Sequence, residues 1–98
     1  MNITTNTEGS ELKVALEGRL DTTSAPELEA VLKTSLPEAN SLVLDLEKLE
    51  YMSSAGLRVL LATHKQMVQK GGLKVTNVND VIKEIFEITG FSDILTVE

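Results

Sequence analysis

The segment Asp45-Leu46-Glu47-Lys48-Leu49-Glu50-Tyr51-Met52-Ser53-Ser54-Ala55-Gly56-Leu57 holds the residues whose order suggests chemistry. It leaves an apolar run and delivers two hydroxyls, Ser53 and Ser54, to what reads as the start of a helix. A helix N-terminus presents unpaired amides and a partial positive charge, so a phosphate on Ser54 is favoured there by about 0.3–1 kcal/mol. Phosphorylation adds nearly two negative charges. An interface docked through Met52, Leu57 and the loop carbonyls would be blocked by that charge. Read from residue type alone, either serine also serves as a plain helix cap, the role expected of Ser53.

Other chemistries fail on spacing. The single histidine, His64, lies ten residues beyond Ser54 on the same predicted helix, about 15 Å along the axis, and cannot act as its base. Tyr51-Met52-Ser53 lacks the glycine of a nucleophile elbow. Asp45 closes a strand as the acceptor of a receiver domain would, but no acidic pair for magnesium follows the first strand. Gly71-Gly72 lacks the phosphate-loop pattern and reads as a helix stop. With no cysteine, thiol catalysis and cysteine-ligated metal are excluded. No catalytic residue, cofactor or metal site is expected. The formal charge of −6 and the scattered basic residues argue against direct nucleic-acid binding. No apolar stretch is long enough to insert in a membrane, and no basic segment followed by an apolar run opens the chain. A cytoplasmic protein with a protein partner is the expectation.

These residues need a scaffold to position them. Leu12, Val14 and Leu16 alternate with Lys13, Ala15 and Glu17, the period of a strand with one buried face. A weaker strand at Ile3 to Thr7 can join it as a hairpin through Glu8-Gly9-Ser10. Ser24-Ala25-Pro26-Glu27 marks a helix start, with Ser24 capping and Glu27 reaching back. Leu28, Val31, Leu32 and Leu36 give that helix its apolar stripe, and Pro37 ends it. Ser41 to Leu46 reads as a central strand covered on both faces, followed by a loop from Glu47 to Met52. A helix from Ser53 to Lys70 should turn Leu57, Leu60, Leu61 and Val68 inward. Leu73 to Val78 reads as a strand. A third helix follows, capped by Asn79 or Asp80, bearing Val81, Ile82, Ile85 and Phe86 and ended by Gly90. Ile94 to Val97 is a short last strand. The alternation implies an α/β fold, a mostly parallel mixed sheet of four to five strands with an N-terminal hairpin, covered by three main helices. Residues 1–98 make one domain, since 98 residues support one core that buries roughly 60–65% of the unfolded surface.

The segments EGRLDTTSAPELE, LVLDLEKLEYMSSAGLRVLL and KGGLKVTNVNDVIKEIFEITGF, in that order and spacing, resemble a bacterial anti-sigma factor antagonist (anti-anti-sigma factor) of the STAS domain family. The resemblance runs from Leu12 to Val97. It implies a phosphoprotein that regulates transcription by partner switching. An anti-sigma factor with serine kinase activity would modify the serine two places before the motif glycine, which is Ser54 counted back from Gly56. A PP2C-type phosphatase would reverse the step. Where many members carry an acidic residue just before that serine, this chain has Ser53, which leaves Ser53 as the second candidate. The implied docking surface is the loop after Gly18, chiefly Asp21 and Thr22, together with Met52, Ser53, Ser54, Gly56 and Leu57. The alternative is a STAS-type accessory subunit of a membrane transport complex with no phosphorylation cycle.

Overall fold

The computed structural model describes all 98 residues. In chain order the elements are β1 (Asn2–Glu8), β2 (Glu11–Leu20), α1 (Ala25–Ser35), β3 (Ser41–Met52), α2 (Ser54–Met67), β4 (Leu73–Thr76), α3 (Asp80–Thr89) and β5 (Thr96–Val97). The five strands lie in one sheet in the order in which the chain makes them. β1 runs antiparallel to β2, and every other neighbouring pair is parallel. The expected α/β architecture is the one observed.

Alternation along the strands decides where the core sits. Leu12, Val14, Leu16, Leu42, Leu44, Leu46, Leu73 and Val75 point to one face and are buried. There they meet Leu28 and Leu32 of α1, Val59, Leu60 and Met67 of α2, and Ile82 and Phe86 of α3 in one apolar cluster. Full burial of one such side chain is worth about 1.5–3 kcal/mol. The opposite face carries Lys13, Ala15, Glu17, Val43, Asp45 and Lys74, all exposed or half-buried. β3 is therefore covered on one face, and the expectation of two covered faces is corrected. Its apolar run reflects a mid-sheet position, with Val43 only half-buried.

A second correction concerns Glu47 to Met52, which continues β3 instead of forming a loop. Two register shifts in the β2–β3 pairing, one between Ala15 and Glu17 and one between Gly18 and Arg19, absorb extra residues on the β3 side. Beyond them Arg19 pairs with Tyr51 and Leu20 with Met52. Gly18, with φ at +108°, accommodates the bend at a dihedral that a side chain would disfavour. The α2 stripe also differs from expectation. Met67 takes the inward place, whereas Val68, whose amide still bonds to the His64 carbonyl at the C-cap, lies about 100° further round the helix and is exposed. In α3, Ile82 and Phe86 are buried whereas Val81 faces out. No helix is long and apolar enough to cross a membrane.

Candidate functional site

Two chain reversals meet at the carboxyl ends of the parallel strands β2 and β3, the edge where open α/β sheets bind their ligands. The Ser53 amide donates to the Leu20 carbonyl at 2.8 Å, which locks the start of α2 beside the loop that leads into α1. Asp21 and Thr22 are thereby set next to Ser53 and Ser54.

The Asp21 loop is held by its own side chains. Asp21 Oδ1 accepts from the Thr23 amide at 3.0 Å and the Ser24 amide at 3.1 Å, an Asx turn of the kind its residue type favours. The buried Ser24 hydroxyl donates to the Arg19 carbonyl at 2.6 Å and accepts from the Asp21 amide at 2.9 Å. Ser24 thus makes no side-chain cap on α1, contrary to the expected pairing with Glu27. Its hydroxyl instead ties the end of β2 to the helix start. The Ser24 amide, followed by the Thr23 amide, the Ser24 hydroxyl and the charge of Arg19, holds the Asp21 carboxyl below its ordinary pKa, while partial desolvation opposes them.

At the second reversal Ser53 stands at the N-cap of α2 in extended conformation (φ −91°, ψ 177°), yet its side chain makes no capping bond. Its Oγ is enclosed and has no partner. The capping expected of Ser53 is therefore carried by its backbone alone, the carbonyl accepting from Leu57 N at 3.0 Å. The amides of Ser54, Ala55 and Gly56 remain without protein partners, as the geometry of a helix start dictates when no side chain reaches back. Ser54 is the first residue of α2 and is exposed. Met52, Gly56 and Leu57, expected to contribute to docking, are buried instead, Met52 at 1% and Leu57 at 7% exposure. They form the floor beneath Ser54. A Cβ on Gly56 would lie 2.7 Å from Leu20 Cγ and 3.0 Å from Met52 Cγ, so only glycine lets the first turn of α2 settle on these two strand ends.

Sequence reading missed Arg19, Tyr51 and Arg58. The Arg19 guanidinium lies 4.6 Å from the centre of the Tyr51 ring, a cation–π contact made by a pairing that exists only after two register shifts. Arg58 is exposed and sits one turn beyond Ser54, on the same side of the helix. It also lines a groove between α1 and α2 with Thr22, Pro26, Glu29 and Ala55. The i, i+4 spacing was the available signal for Arg58. His64 lies along α2 away from Ser54, and its Nδ1 is enclosed without a partner. No group of three His, Asp or Glu side chains is placed to hold a metal ion.

A family model described as "Mlab, STAS domain" matches residues 3–96. The Bordetella bronchiseptica protein BtrV, named as an anti-sigma factor antagonist, is 37% identical over 99% of this chain and 85% of its own length. The anti-sigma-B factor antagonist of Staphylococcus aureus is 35% identical over 99% of this chain and 92% of its own. Among solved structures, an anti-sigma factor antagonist from Mycobacterium paratuberculosis superposes with a TM-score of 0.89 at 23% identity, over 98% of this chain and 83% of that one. The Bacillus cell fate determinant SpoIIAA in its phosphorylated form superposes with a TM-score of 0.77 at 16% identity, over 99% of this chain and 91% of that one.

Proposed function

The chain belongs to the STAS domain family, among its anti-sigma factor antagonists, and from that premise we propose that it is a partner switch set by phosphorylation of Ser54. Unmodified, it binds an anti-sigma factor through the face formed by the Asp21–Thr22 loop and the start of α2. Once Ser54 carries a phosphate, it lets go. The single observation that carries this reading is the contrast between the two serines: Ser54 is exposed at the first position of α2, whereas the Ser53 hydroxyl is enclosed. A kinase can reach one and not the other. The unpartnered amides of the first turn receive the phosphate without a change of backbone, and its charge of about −1.5 to −2 then occupies the docking face beside Asp21.

In this reading the chain contributes a hydroxyl and no catalytic group, and acts as a single domain in the cytoplasm. The anti-sigma partner supplies the serine kinase activity, and a PP2C-type phosphatase resets the switch. The names of the two relatives favour this reading over a transport accessory subunit. The test is intact-mass spectrometry with site mapping after incubation with ATP and the cognate anti-sigma factor. One phosphate, on Ser54, is expected. Modification confined to Ser53, or none with a kinase active on another substrate, overturns the proposal.

A further inference from the structure

The sheet ends on one side in β1, seven residues long and exposed at every position except the half-buried Ile3. Edge strands are commonly blunted with lysine, proline, a bulge or an inward charge. β1, with the sequence NITTNTE, has none of these, and its pairing to β2 is regular from end to end.

The register fixes which backbone groups face outward. Ser10 and the even-numbered residues of β2 turn their amides and carbonyls toward β3, as the Ser10 carbonyl shows by accepting from Asn40 N at 2.7 Å. The odd residues of β2 therefore serve β1. Their partners are Asn2, Thr4, Asn6 and Glu8, opposite Glu17, Ala15, Lys13 and Glu11. Ile3, Thr5 and Thr7 are left with amides and carbonyls pointing to solvent. These three are spaced symmetrically about Thr5.

We propose that β1 is a self-pairing edge: two copies of this chain join their β1 strands antiparallel about a two-fold axis at Thr5, making one continuous sheet. In that register Thr5 meets Thr5, and Ile3 meets the second copy's Thr7, each pair exchanging both backbone hydrogen bonds. Ile3 and Thr7 are both β-branched, a favourable cross-strand pair. The charges also fit. The only charged residue of β1 is Glu8, which already lies 3.8 Å from Lys13 and would face the second copy's Asn2, not its Glu8. The Asn2 amide donates to Glu17 Oε1 at 3.1 Å and keeps a second N–H for that carboxylate. The area is small, so the association is weak and concentration-dependent.

The experiment is sedimentation velocity on the full chain up to about 1 mM, the upper range of weak association, with amide hydrogen exchange read at both ends of the series. The expected result is a monomer–dimer equilibrium in which the amides of Ile3, Thr5 and Thr7 slow with concentration while those of Thr4 and Asn6 do not change. Because Thr5 lies on the axis, Thr5→Lys and Thr5→Glu each place like charges in direct opposition. Each alone should weaken self-association about tenfold or more, and mixing the two should restore a dimer. Thr5→Pro removes only an outward amide, so it should keep the fold, checked by its melting curve, and lose the dimer. A wild-type chain that stays monomeric throughout, or a Thr5→Lys variant that associates as the wild type does, overturns the proposal.

Discussion

Gly56 rests directly on Leu20: a methyl group at its Cα would lie 2.7 Å from Leu20 Cγ and 2.8 Å from Leu20 Cδ2, and Leu20 itself has no exposed surface. The contact joins the first turn of α2 to the end of β2, and so fixes the distance between the two halves of the candidate docking face.

Gly56→Ala should therefore act on both stability and binding. Overpacking a tight site costs about 1–3 kcal/mol, which in a domain of this size lowers the melting temperature by roughly 4–8 °C per kcal/mol. Calorimetry should show that drop. Titration with the anti-sigma partner should show weaker binding at a temperature where the variant is still folded. A melting curve unchanged from wild type would contradict the packing argument.

Ser54→Asp should separate stability from recognition. A carboxylate at the first position of α2 is favoured by the helix dipole by about 0.3–1 kcal/mol, so the melting temperature should hold or rise slightly. Binding to the anti-sigma factor should fall about tenfold or more, since a charge is placed at the interface. Ser54→Ala should bind persistently and take up no phosphate. Isothermal titration of both variants decides the matter, and equal affinities would sink the docking scheme.

Ser24→Ala leaves the Arg19 carbonyl and the Asp21 amide without the hydroxyl that serves both at 2.6 and 2.9 Å. These bonds are part-buried, so their loss should cost about 0.5–1.5 kcal/mol each. Urea unfolding should show a lower midpoint with an unchanged slope, the mark of a change in stability alone.

Asp21 gives the acid limb a defined sign. Its carboxyl is held below the ordinary 3.8 in the folded state, so the unfolded chain binds the proton more readily. The stabilisation is present above 3.8 and is lost as pH falls through the lower folded value. Asp21→Asn should be less stable than wild type near neutrality, and the gap should narrow on acidification. Melting temperatures followed down the pH series would refute this if the two curves ran parallel.

Much of the scaffold was legible because periodicity reports burial directly. Leu12, Val14 and Leu16 alternate and are buried, and Asn79 caps α3 with its side chain at 2.9 Å from Ile82 N. Legibility ended where pairing between distant residues overrode local pattern. Glu47, Lys48 and Glu50 look like a loop because charges break the apolar run, yet cross-strand bonds to Glu17–Leu20 make that stretch a strand. The same blind spot hid Arg19 and Tyr51, thirty-odd positions apart in sequence and stacked in space. It also made Met52 and Leu57 look available, since an apolar residue beside a polar motif reads alike whether it lines a surface or supports one. For the two serines, residue type alone allowed either to be a helix cap, and only the family resemblance ranked Ser54 above Ser53. The enclosure of the Ser53 hydroxyl depends on how α2 seats against β2 and β3, which no local pattern encodes.

The strand order, β1 to β5 in sequence order across the sheet, bears on how the chain is made. Each new strand adds at an edge the previous one has left open, so none has to be threaded between two already in place. A chain emerging from its N-terminus during synthesis can build this sheet by accretion, beginning with the local β1–β2 hairpin. Each later step closes one helix-length crossover onto a template that already exists.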